Sequence, residues 1–174
     1  MTDLDAPDDP GELYEARGDV PLALPIMQGN VYDHVLVPGL SDQPLIVAVV
    51  MHPCSMRAGA QLRPKIIITA IRSYQRLRDD DWTGHGNVMP LPHLRNTDDC
   101  YAIDFRELAT VPSVALSRRA RIAACSRQGI LLLQQRCAFH LTRLAVPLPN
   151  LYDVALPVLP SPSCSQTGSR PPST

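Results

Sequence analysis

The residues with the most chemical potential stand together where an apolar run ends. In "LIVAVVMHPCSMR", residues 45–57, seven apolar residues stop at His52, and Cys54 and Arg57 follow within five positions. A thiolate is stabilised by neighbouring cations, so a cysteine two residues from a histidine and three from an arginine has the makings of a nucleophile with a local base. His52, Cys54 and Arg57 are therefore the candidate catalytic residues. The plain alternative is a small cysteine in a turn, since cysteine is among the most buried residue types. Pro53 decides where the group lies. It cannot donate to a strand ladder, so pairing weakens there and Cys54 is placed at a sheet rim.

The second pattern is electrostatic. Residues 117–143 carry six arginines, Arg118, Arg119, Arg121, Arg127, Arg136 and Arg143, and no Asp or Glu, in a chain of formal net charge -1. On a helix, Arg136, His140 and Arg143 fall at steps of four and three and form one column, and guanidinium groups suit phosphate geometry. This column is the candidate nucleic-acid contact. The alternative is a solvated helix face, or a partner for the acidic N-terminus.

Metal chemistry has weaker support. His52, Cys54, His85, His93 and Cys100 are ligand types, but a zinc signature needs two closely spaced pairs and only His52 and Cys54 are close. Aspartates at 79–81 and 98–99 read as solvated turn formers. No Gly-rich phosphate loop, Gly-x-Ser-x-Gly or His-Glu-x-x-His motif occurs, so neither a metal nor a cofactor is expected.

The elements that must position these residues follow from periodicity. Val31, Val35 and Val37 stand in a strand ending at Pro38-Gly39, residues 45–51 are apolar at every position as in a strand buried on both faces, and "KIIITAI", residues 65–71, is a third strand. Residues 72–99 have no period and read as a long loop. In the strand "CYAIDFREL", residues 100–108, Tyr101, Ile103 and Phe105 lie on one side and Ala102, Asp104 and Arg106 on the other, which predicts a half-exposed strand. The spacing of Ile130, Leu133, Cys137, Leu141 and Leu144 predicts a helix over residues 127–144, capped by Ser126.

A chain of 174 residues with 45% hydrophobic and 19% charged residues supports one folded domain. Residues 1–18 read as an acidic flexible arm, 19–145 as a single β-rich domain ending in a helix, and 146–174 as a Pro/Ser-rich tail. The fold expected is α+β, a small curled β-sheet or SH3-like barrel with one C-terminal amphipathic helix. Five cysteines at irregular spacing argue against a disulfide framework, and no apolar run is long enough to span a bilayer. Together these predict a cytoplasmic protein away from membranes.

Residues 29–50, "GNVYDHVLVPG" through "DQPLIVAVV", resemble the opening of the MazF/PemK-like toxins, in which a short first strand, a turn and an Arg-Pro lead into a valine-rich strand. The resemblance implies an SH3-like barrel, RNA cleavage and inhibition by an antitoxin peptide. Asn30 stands where that family has aspartate, and Gln43 where it has the arginine before Pro44. Two functions follow as expectations: a non-catalytic interaction module binding nucleic acid or a protein partner, and a MazF-like endoribonuclease with an altered active site.

Overall fold

Runs of Val and Ile alternate across a pleated surface, and where both faces are covered they give strands that are apolar throughout. The computed structural model describes residues 4–75, 77, 78, 82, 85–95, 97 and 99–155. The aspartates at 79–81, Asp98 and the Pro/Ser segment from 156 lie outside the described residues. The fold is α+β. Seven strands form one antiparallel sheet: β1 (Tyr14–Arg17), β2 (Asn30–Val37), β3 (Ser41–Val49), β6 (Lys65–Tyr74), β7 (Val88–Leu91), β8 (Cys100–Pro112) and β9 (Arg121–Cys125), in the order β1-β9-β2-β3-β6-β8-β7. A small hairpin of β4 (Arg57–Ala58) and β5 (Gln61–Leu62) stands apart. The helices are α1 (Pro53–Met56), α2 (Arg127–Thr142) and α3 (Leu148–Ala155).

The sheet carries apolar clusters on both faces. Val31, Ala48, Ile71, Ile103 and Phe105 face one cluster, into which α2 inserts Leu132 and Leu133. Tyr32, Val47, Val49, Ile68 and Ala70, the alternate positions of the same strands, face the other with Met56 and Val111. Register shifts within β2 and between β6 and β8 bend the ladder, because an extra residue in one strand increases local twist. The sheet stays open between its edge strands β1 and β7, although Tyr14 Oη donates to Pro92 O across the seam at 3.1 Å.

Several expectations are corrected. Residues 10–17, read as part of an acidic arm, include a 3-10 turn over Pro10–Leu13 and the strand β1, with Leu13 fully buried. The long loop contains β7, and the start of the expected tail contains α3. Strand β8 is not half exposed: Ala102 and Asp104 are buried, because Leu77 and Val88 cover that side as well. The apolar face of α2 is also rotated from the one expected. Leu141 and Leu144 are exposed, whereas Leu131, Leu132, Leu133, Gln135 and Arg136 are buried. α2 is enclosed on these sides because the Pro10–Leu13 turn and α3 pack on it as well as the sheet.

Candidate functional site

At the exit of β3, the chain leaves the ladder and turns into α1. Pro53 occupies the first helical position, where its missing N–H costs nothing. His52 is the N-cap, its Nδ1 accepting from the Cys54 backbone N–H at 3.3 Å. Cys54 is exposed. The Arg57 guanidinium donates to Ile26 O at 3.1 Å and Ala60 O at 3.4 Å, which ties the 18–29 loop to this turn. Imidazole and guanidinium thus hold backbone here, and none of the cavities described below is lined by His52, Cys54 or Arg57.

The helix column divides in two. Arg136 is fully buried, and its guanidinium donates to four backbone carbonyls: His85 O at 3.3 Å, Val88 O at 3.4 Å, Asp5 O at 3.2 Å and Trp82 O at 2.8 Å. It also lies 4.9 Å from the Trp82 ring centre, and burial pushes its pKa down to about 10. Arg136 is therefore removed from the candidate nucleic-acid contacts, since every solvent path to its charge is closed. His140 and Arg143 remain at the surface end of the helix. Arg143 takes the left-handed conformation at φ +61° and its N–H closes α2 on Phe139 O at 2.7 Å.

These two meet residues from the long loop and from β8. Asn87 Oδ1 lies 3.0 Å from His140 Nδ1 and accepts from Arg143 Nη1 at 3.3 Å. Beside Asn87, a cavity of about 240 Å³ is walled by Tyr74, Leu77, His85, Gly86, Val88 and Arg106. Gly86 is required there, because a Cβ would stand 2.3 Å from the Phe139 ring. Tyr74 Oη donates to Asp104 Oδ2 at 2.7 Å, and Arg106 donates through Nε to Asp104 Oδ1 at 2.8 Å and through Nη2 to Oδ2 at 2.6 Å. The Asp104 side chain is 5% exposed and the Arg106 side chain 57%, so the carboxylate anchors a guanidinium whose outer edge faces solvent.

The electrostatics follow from that arrangement. Burial works to raise the Asp104 pKa, but hydrogen bonds from Arg106 and Tyr74 outweigh it and hold the carboxyl below its usual range. Burial and the bond to Asp104 push the Tyr74 phenol up to about 12. Burial, then Arg143, lower the His140 pKa; Arg106 adds to the lowering and Asp104 opposes it. Together these favour the neutral imidazole. Arg106 is compensated there by Asp104, which leaves Arg143 as the corner's guanidinium without a carboxylate partner among the described residues.

A larger cavity of about 540 Å³ lies at the other end of β7, lined by Arg17, Asp33, His93, Leu94, Arg95 and Ile122. Its cations are engaged: Arg95 pairs with Asp33, and Arg17 donates to His93 O. A third, of about 280 Å³, adjoins it between β1 and Pro92. Among the described residues, no group of three or more His, Cys, Asp or Glu could hold a metal ion. Burial alone pushes the Cys125 thiol up to about 12 and raises Cys137, so neither offers a ready thiolate. Among the described residues, no helix is long and apolar enough to cross a membrane.

No protein-family model matches the chain, and no characterised protein matches it. Residue types and spacing pointed to His140 and Arg143 but missed Asn87, Tyr74, Asp104 and Arg106. One signal was present: Asp104 and Arg106, two apart in a strand, share a face and can pair. Tyr74 joins them only through the β6–β8 register, in which Tyr74 stands opposite Cys100.

Proposed function

We propose that this protein is a non-catalytic binding module for single-stranded RNA, and that the corner formed by Asn87, Arg106, His140 and Arg143 receives the strand. The observation that carries this reading is a slot that sets an apolar wall, Leu77 and Val88, beside Tyr74 and the Arg106 guanidinium, with Arg143 reaching its rim through Asn87 Oδ1. Arg106 Nη2 lies 3.4 Å from Tyr74 Oη, and the Arg143 guanidinium lies 5.8 Å from the Phe139 ring centre. Proteins that hold single strands combine phosphate-binding cations with aromatic faces on which bases stack. The slot beside Asn87 offers an apolar wall of Leu77 and Val88 to a base, while Arg143 faces its phosphate. The curled sheet serves as the SH3-like scaffold, with Tyr14 and Arg17 bridging its seam to Pro92 and His93.

With Arg136 buried and Arg106 paired with Asp104, Arg143 is the guanidinium of the corner left to neutralise a phosphate, so the slope of log K against log salt should be about -0.7, at roughly -0.7 per single-strand phosphate. Fluorescence anisotropy with a labelled mixed-sequence RNA, repeated from 50 to 300 mM salt, measures it. A flat response would remove the phosphate contacts. Electrophoresis of the same RNA after incubation separates the module from the endoribonuclease: intact RNA is expected, and fragments lost with His140→Gln would instead favour cleavage.

A further inference from the structure

The wall of the slot is held by the one arginine of the helix column that no ligand can touch. Arg136 Nη1 donates to His85 O and Val88 O, the two ends of a four-residue segment whose middle residues, Gly86 and Asn87, shape the slot. Gly86 packs against Phe139, one turn further along α2 from Arg136. Asn87 is thereby presented to His140 and Arg143, and its own carbonyl accepts from the Phe105 N–H of β8 at 3.0 Å. The other guanidinium nitrogen, Nη2, reaches Trp82 O and Asp5 O, so one side chain ties the loop, the N-terminal segment and α2 together. Asp5 is clamped in turn by Gln135, whose Oε1 accepts from the Asp5 N–H at 3.0 Å and whose Nε2 donates to Asp5 Oδ2 at 2.6 Å.

A buried guanidinium is costly to keep in the interior unless its donors are used. Methionine or leucine would fill such a position with less electrostatic cost. What arginine provides instead is a planar fork with fixed geometry, which sets the distance between the two carbonyls it brackets.

We infer that Arg136 is a positioning residue for the RNA site, fixing the His85–Val88 wall without contacting the ligand. The inference rests on the proposed RNA binding, and its test has a readout that does not. Trp82, the single tryptophan of the chain, is buried against the Arg136 guanidinium, so its emission reports the latch directly. Arg136→Met removes every donor, and Arg136→Lys keeps the charge and three donors on one nitrogen but loses the planar fork that brackets both carbonyls, so it serves as the second variant should the methionine one fail to fold.

Both variants are expected to shift Trp82 emission to longer wavelength and admit a soluble quencher. If the freed wall is competent about one-tenth of the time, RNA affinity falls about tenfold. The salt slope is expected to stay at the wild-type value, because no phosphate contact is lost. A slope reduced by about 0.7 would overturn the inference by showing Arg136 on a phosphate. So would unchanged RNA affinity alongside a shifted Trp82 spectrum, which would leave Arg136 with packing alone. If wild-type protein binds no RNA, the proposed function fails, and an unshifted Trp82 spectrum in both variants would separately show that Arg136 does not set the wall.

Discussion

The turn after β3 and the corner at the end of α2 both gather a histidine and arginine beside a strand end, yet they use them differently. In the turn, His52 caps α1 and Arg57 binds the carbonyls of Ile26 and Ala60. The cations there answer local backbone demands. In the corner, the backbone is already satisfied by α2, β7 and β8, so His140 and Arg143 at the end of α2 meet Asn87, and Arg106 of β8 lines the slot beside it. Neighbours in sequence are recruited first to hold the chain that carries them. Groups brought together by tertiary structure are freer to face a ligand.

The largest way to break this contrast is to remove the carboxylate that anchors the corner. Asp104→Ala leaves a half-buried Tyr74 phenol and the Arg106 fork without their acceptor, and should destabilise the fold by about 1–2 kcal/mol in urea titration. Because the folded-state pKa of Asp104 is held low, its contribution is present above the usual carboxylate pKa of about 4 and is lost as pH falls below it. Acid titrations of the wild type and the variant should therefore converge at low pH. Equal stability of the two at pH 7 would show that Arg106 is positioned by something else.

Arg143→Gly separates strain from function. A non-glycine residue at φ +61° costs about 1 kcal/mol, so glycine should stabilise the protein by up to that amount while weakening RNA binding. A variant that gained stability and kept its affinity would place the ligand elsewhere. A smaller effect is expected from pH. The folded chain holds the His140 proton more weakly than the unfolded chain does, so stability falls as pH drops through about 6.5, while a bound phosphate favours the imidazolium. RNA affinity of the wild type should rise as pH falls below about 6.5, and His140→Gln should flatten that rise. A pH profile shared by both proteins would exclude His140 from the contact. Smallest of all, Cys54→Ser at the exposed turn should change stability by no more than about 0.5 kcal/mol and leave RNA affinity unaltered; a larger loss would return the chemistry to the end of β3.

Much of the frame was legible because its strands are long: β2, β3 and β6 declare themselves in Val, Ile and Leu, and β8 in the alternation of Tyr101, Ile103 and Phe105. β9 did not, since it is five residues long and opens on Arg121. That arginine is buried, donating to the carbonyls of Pro21, Leu24 and Pro25, a use of charge that periodicity reads as exposure. β7 is only four residues long and contains Pro90, which a strand tolerates here because its one ladder is with β8. The same ambiguity misread Arg136. Arg136 and Arg143 are two turns apart on one helix, and nothing in their spacing says that a loop and an N-terminal segment close over the first and not the second. The closeness of His140 and Arg143 follows from helix geometry alone, whereas the place of Asn87 beside them depends on where an aperiodic loop returns to the sheet.

The contrast between the two regions comes to one comparison of arginines. Anisotropy titrations of Arg143→Ala and Arg57→Ala with the same labelled RNA, at 50 mM salt and below both melting transitions, set the guanidinium proposed to meet the RNA against a backbone-holding one. Loss of one charge-assisted phosphate contact should weaken Arg143→Ala about tenfold, with Arg57→Ala within about twofold of wild type. The reverse order, with Arg57→Ala the weaker binder, would contradict the assignment and put the RNA at the exit of β3.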